Sequence, residues 1–145
     1  MKQKEILRII DANLNRLLEA LRVCEEVTRF ILEKRSYTEE LKNLRHESAR
    51  AISASKSLKY ISLIKARDSD GDIGKFTLKN ELKRDDPHDV MRANMQRAKE
   101  SLRVLEEFSK IIDKEAALKF KKIRFKLYSA EKVLIEKADF AVNTR

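Results

Sequence analysis

The stretch from Asp11 to Glu26 recurs, without a gap, as Arg92 to Glu107. Ala12, Asn13, Arg16, Glu19, Leu21, Arg22, Val23, Glu25 and Glu26 meet identical residues at Ala93, Asn94, Arg97, Glu100, Leu102, Arg103, Val104, Glu106 and Glu107. Further on, Leu41, Leu44 and Arg45 fall over Phe120, Ile123 and Arg124. Chance similarity between helices does not keep Asn and Arg in register over such a run. One structural unit has therefore been used twice, and whatever fold the chain adopts must be buildable from two copies of it.

The unit is helical. A chain of 145 residues with two glycines and one proline has little material for turns, so long helices with few connections are expected. Caps divide it. The first helix runs from Lys4 to about Arg35, and Ser36 with Glu39 fits a capping box opening a second helix that runs to about Ala66. Asp86 followed by Pro87 reads as N-cap and first position of a third helix. Asp113 reads as the N-cap of a fourth, ending near Ala138. The predicted architecture is all-α: an antiparallel four-helix bundle of two duplicated helical hairpins with an internal pseudo-two-fold axis, in one domain over 1–145. The repeats span 4–66 and 86–140, joined by the loop 67–85 that holds both glycines.

At 100° per residue, the first helix shows a broad apolar side (Leu14, Leu17, Leu18, Leu21, Cys24) and a second apolar stripe (Ala12, Ala20, Val23, Val27). Asp11, Asn15, Glu19, Arg22, Glu26, Arg29 and Glu33 fill the polar stripe between them. Three polar residues break the pattern. Asn13 and Arg16 fall on or beside the second stripe, and Glu25 falls on the leucine side; Asn94, Arg97 and Glu106 repeat this in the third helix. A charge facing the interior is costly unless paired or used. Two readings stand: ion pairs and hydrogen bonds stitching the hairpins, or a polar pocket in the bundle centre. Glu19, Arg22, Glu100 and Arg103 read as spaced ion pairs on a solvated face, kept in view by their duplication.

The second helix adds Arg45, whose guanidinium fork suits phosphate, and His46, of the residue type most often used to move protons near neutral pH. The joining loop carries Arg67, Asp68, Asp70, Gly71, Asp72 and Gly74. Spaced acids of this kind suit a hard cation such as Mg²⁺, though the glycine is misplaced for an EF-hand and Lys79 stands at the twelfth position. The bland alternative is an acidic turn that uses glycine for positive φ.

Net charge is +9, which raises nucleic acid, anionic membrane or a phosphorylated small molecule as ligands. Aromatic residues make up only 6% and tryptophan is absent, so a base-stacking platform is poorly supported and nucleic acid is not expected. No apolar run reaches the length of a membrane span, and the N-terminal residues lack a signal core. The single cysteine, Cys24, suggests a reducing, cytoplasmic setting. Apolar residues on two sides of the first helix are compatible with a homodimer.

Four strings in order resemble one known domain: Asp11-Ala-Asn13 through Arg16, Glu19, Arg22 and Glu25-Glu26; Leu44-Arg45-His46; Ala66-Arg67-Asp68 through Gly71-Asp72-Ile-Gly74; and Ala93-Asn94 through Arg97, Glu100, Arg103 and Glu107. The domain occurs at the N-terminus of fused bacterial thiamine-phosphate synthases and as a stand-alone protein, and the chain resembles the stand-alone form. The resemblance implies a hydroxymethylpyrimidine-phosphate kinase that uses ATP, with Mg²⁺, to convert 4-amino-5-hydroxymethyl-2-methylpyrimidine phosphate to its pyrophosphate. It also implies a functional link to thiamine-phosphate synthase. Lys75 departs from the pattern, which has a small hydroxyl residue there.

For such a reaction Arg16, Arg97, Arg45 and Arg67 are candidates for phosphate contacts, and Asp68 and Asp72 for the metal. Asn13 and Asn94 could read the pyrimidine edge, while Glu19, Glu25, Glu100 and Glu106 could orient arginines. Arg22, Arg103, His46 and Gly74 complete the candidate binding set. Duplication would give two similar half-sites, one for each substrate. Two competing functions are a non-catalytic helical partner of thiamine-phosphate synthase and a basic nucleic-acid binder.

Overall fold

The computed structural model describes residues 3–76 and 82–143; Lys79 lies outside them. Among the described residues all regular structure is helical. α1 spans Gln3–Glu26 and runs into a π turn at Val27–Ile31; α2 spans Arg35–Ser53, α3 Tyr60–Ala66, α4 Pro87–Ile112 and α5 Lys114–Asn143. α1 packs on α4 over the most extensive contact, α2 lies on α1, α5 on α4, and α2 on α5. Glu25 meets Arg45 and Thr28 meets Thr38, so α1 and α2 are antiparallel. Cys24, late in α1, reaches the carbonyl of Met91, early in α4, and Lys126 bonds Glu47 across α5 and α2. Each helix is thus antiparallel to both neighbours in a closed four-membered ring, as expected from two hairpins.

The core explains why the hairpins associate. Ile10, Leu17, Leu21 and Cys24 of α1 are fully enclosed together with Met91, Met95, Leu102 and Leu105 of α4, and Leu41, Phe120 and Leu127 close the layer from α2 and α5.

The caps at the second repeat form as expected. The Asp86 carboxylate accepts the N–H of Asp89, with Pro87 opening α4. Asp113 accepts from the N–H groups of Glu115 and Ala116. Four boundaries differ. The first helix ends at Ile31, with Glu33 at φ 52°, instead of running to about Arg35. The capping box at Ser36 does not form: α2 opens two residues earlier with Lys34 as a cap that makes no side-chain bond, and the Thr38 hydroxyl donates back to the Lys34 carbonyl. The second helix is broken, because Ser55 Oγ accepts the N–H groups of Ser57 and Leu58 and donates to Asp113, offering the backbone partners a helix would not. The last helix runs to Asn143 rather than stopping near Ala138.

The break lets α3 fold against α1, burying Leu58, Leu63 and Ala66. It delivers the following loop, beginning at Arg67, onto the outer face of α1. The second repeat has no counterpart of this, since α5 is continuous.

Candidate functional site

Burial on α1 forms one arc rather than two stripes. Asn13 and Glu25 are buried, as their positions suggested, and so is Glu106; Asn94 is half-buried. Arg16 and Arg97 are not interior residues, which corrects the reading from the helical wheel: both are exposed. Arg16 lies about 40° beyond Ala20, past the edge of the buried arc.

The duplicated Asn and Glu residues find their partners within their own hairpins. Asn13 donates its amide to the Ile9 carbonyl at 2.9 Å, and Asn94 donates to the Val90 carbonyl at 2.8 Å. Glu25 accepts from Arg45 Nε and Nη2, one edge of the guanidinium, and Glu106 accepts from Arg124 at 3.0 and 2.9 Å. Glu25 and Arg45 therefore form the buried ion pair that was the alternative to a central pocket. Hydrogen bonding to Glu25 holds the Arg45 guanidinium charged, above its ordinary range. Burial works against the charge on Arg124, but bonds with Tyr128 and Glu106 outweigh it.

Asn13, Arg16, Asn94 and Arg97 do not converge. Antiparallel packing of α1 on α4 sends equivalent residues toward opposite ends of the interface. Asn13 and Arg16 instead line a cleft of about 630 Å³ built by the first repeat alone, between the outer face of α1 and the loop after α3. Glu19, Arg67, Asp68 and Asp72 line it too, so six residues singled out from the sequence meet there. Glu100 and Arg103 stand on the exposed side of α4, Arg103 pairing with Glu106 and Glu107, and His46 is exposed on α2. Gly74 donates its N–H to Asp72.

The charged residues of the cleft that were not foreseen as site residues are Glu5, Arg8 and Asp11. Asp11, buried, accepts a bidentate bond from Arg67 at 2.7 and 2.8 Å. That bond raises the affinity of Arg67 for its proton. It also fixes the guanidinium at the cleft wall. Asp11 did carry a signal, since Arg92 replaces it in the second copy within an otherwise matching run. Arg8 donates to the Asp68 carbonyl at 3.3 Å and ties the loop to α1.

The loop is an acidic turn, but neither glycine has positive φ. Asp68 and Asp72 each spend Oδ1 on a backbone N–H, of Gly71 and Gly74. A Cβ at Gly71 would press on the Asp68 carboxylate, so the residue permits close approach rather than an unusual backbone angle. Two such carboxylates beside phosphate oxygens are the donor set Mg²⁺ ordinarily takes. No group of three or more His, Cys, Asp or Glu side chains is arranged to hold a metal among the described residues. No helix among them is long and apolar enough to cross a membrane.

The chain belongs to the ThiD2 family, whose model matches residues 8–133. It is 40% identical to a thiamine-phosphate synthase of Rhodopirellula baltica over 129 residues, 88% of this chain and 34% of that protein. It is also 40% identical to one of Synechocystis sp. over 131 residues, covering 90% and 36%. A Prochlorococcus marinus thiamine-phosphate synthase is 34% identical over 135 residues. The chain spans about a third of the length of these relatives. No solved structure matches it.

Proposed function

We propose that the chain serves thiamine biosynthesis beside thiamine-phosphate synthase, and that the cleft between α1 and the Arg67–Asp72 loop binds a phosphorylated pyrimidine. The observation that carries this is the meeting of Arg8, Arg16 and Arg67 with Asp68 and Asp72 in one cleft of the family-matched segment. The chemistry we assign is transfer of the γ-phosphoryl of ATP to the phosphate of 4-amino-5-hydroxymethyl-2-methylpyrimidine phosphate. A bond forms between an acceptor phosphate oxygen and the γ-phosphorus, the bond to the β,γ-bridging oxygen breaks, and ADP leaves. The acceptor is already anionic, so positioning and charge neutralisation matter more than a strong base.

Roles follow from the geometry. Arg16, exposed on the cleft wall with no ion-pair partner within 4 Å among the described residues, supplies a guanidinium for the acceptor phosphate. Arg67, locked by Asp11, supplies a second whose orientation is set beforehand. Asn13 has committed its amide nitrogen to the backbone, which leaves its oxygen to accept from a pyrimidine amino group. Asp68 and Asp72 would hold Mg²⁺, which would screen the phosphate oxygens from each other and from the cleft's carboxylates.

ADP release from ATP, Mg²⁺ and the pyrimidine monophosphate tests this directly. We expect turnover, and a loss of roughly a hundredfold or more in Arg16→Ala at unchanged helicity. Absence of turnover with folded protein would refute the phosphotransfer. The architecture of the relatives favours a second reading, in which the chain is a non-catalytic partner of the synthase: a similar stretch forms about a third of proteins named thiamine-phosphate synthase. Retention by an immobilised synthase, with no turnover and no ATP binding, would support that reading.

A further inference from the structure

A second cleft, of about 570 Å³, lies at the other end of α1, between the π turn and the start of α2. The repeat provides an internal control for it. In the second hairpin Lys110, the counterpart of Arg29, bonds Glu107 at 2.9 Å and approaches Glu106 at 4.0 Å. Arg103 closes on the same two glutamates. α4 stays α-helical through Ile112, so residues three and four apart remain stacked and these charges cancel.

The first hairpin has the same glutamates but a different backbone. The π turn at Val27–Ile31 widens the helix just where Arg29 sits and carries it off Glu25 and Glu26. Arg29 lies over the Phe30 ring instead, 4.7 Å from its centroid. Glu25 is held by Arg45 and Glu26 by Arg22. Lys34 and Lys42 line the same cleft, and among the described residues neither they nor Arg29 has a carboxylate within ion-pair distance. Of the cleft's carboxylates only Glu33 is left without a cation, on a residue held at φ 52°. A π turn and a left-handed non-glycine residue are both costly local states, and both border this cleft.

We propose that this second cleft is a separate polyphosphate site, and that it takes the triphosphate of a nucleotide. Three of its five cations, Arg29, Lys34 and Lys42, are left uncancelled, whereas along the first cleft carboxylates outnumber cations five to three. The two clefts also adjoin. Glu19 lines the first and Arg22 the second, three residues apart on the outward face of α1, about 4.5 Å along its axis. The nucleotide's identity rests on the phosphotransfer proposed above; the anion site itself rests on the released cations.

Calorimetric titration with inorganic triphosphate and with ATP, at constant ionic strength, tests it. We expect the double variant Arg29→Gln, Lys42→Gln to weaken both ligands by about tenfold or more, the loss of two charge-assisted contacts. Lys34→Gln alone should weaken them less. Arg16→Gln in the first cleft, and Lys121→Gln on the exposed side of α5, should leave triphosphate binding within about twofold. Equal weakening by Lys121→Gln would mean general charge attraction and overturn the site. Loss in Arg16→Gln with none in the double variant would place the polyphosphate in the first cleft, and no triphosphate binding to wild type would also overturn it. Binding with the expected pattern but without ADP release would sink the phosphotransfer while leaving the anion site standing.

Discussion

Glu106 and Arg124 are the more enclosed of the two duplicated ion pairs, with side chains 5% and 9% exposed. Replacing one partner leaves a charge without its counter-ion inside the bundle. Glu106→Gln should therefore cost about 3 kcal/mol in chemical denaturation, while a paired replacement by leucine and methionine should recover most of that loss. Cys24 illustrates the opposite case, a reactive type made inert. Burial, with Glu131 and Glu25 nearby, pushes its thiol up to about 12, and its S–H points at the Met91 carbonyl. Native protein should resist thiol-specific labelling at neutral pH and react only as fast as it unfolds, measurable with an aromatic disulfide reagent. At this scale a repeat in sequence speaks first of architecture: the copied Asn and Glu residues hold their own hairpins, and the cleft gathers where the copies differ, at Asp11 and the loop beginning at Arg67.

The caps of α4 and α5 were legible because a cap is a local event, decided by one carboxylate and the next turn of backbone. The breaks were not, because each depends on a partner distant in the chain. Ser55 interrupts the second helix while bonded to Asp113, which belongs to the other hairpin. Three serines between Ser53 and Ser57 were the available signal. Asp113 carries a measurable consequence. Hydrogen bonds from Ser55 and from the N–H groups of Ala116 and Glu115 hold its carboxyl below the ordinary range. A lowered folded value means the ionised form stabilises the native state, fully above the unfolded pKa of about 4, and that this contribution fades as pH falls through the folded value. Asp113→Asn should lose about 1 kcal/mol at pH 7, with the gap from wild type closing toward pH 2 in urea titrations. The π turn is a local exception: Val27 to Ile31 reads as ordinary helix, yet the Leu32 and Lys34 N–H groups reach back five and six residues, to the Val27 and Thr28 carbonyls.

The molecule as a whole is two hairpins that cannot stand apart. α1 spends its most apolar face, through Leu17, Leu21 and Cys24, on α4 rather than on its own partner α2. A fragment of residues 1–66 should consequently show weak helicity and no cooperative thermal transition by circular dichroism, whereas the full chain should melt in one step. Helix content, the duplication and the family were written in periodicity, in the scarcity of glycine and proline, and in residues matched position by position. These are properties of short segments or of segments compared with one another. Where the side chains meet was decided by packing. The same Asn-Arg-Glu pattern occurs in both copies, yet only the first borders the α1 cleft, because α3 folds back and sets Arg67 against Asp11. Arg29 and Lys110 occupy equivalent positions, yet one is cancelled and the other is free. The difference lies in which turn of which helix faces which neighbour, and that follows from the interlocking of four helices at once, which no single segment contains.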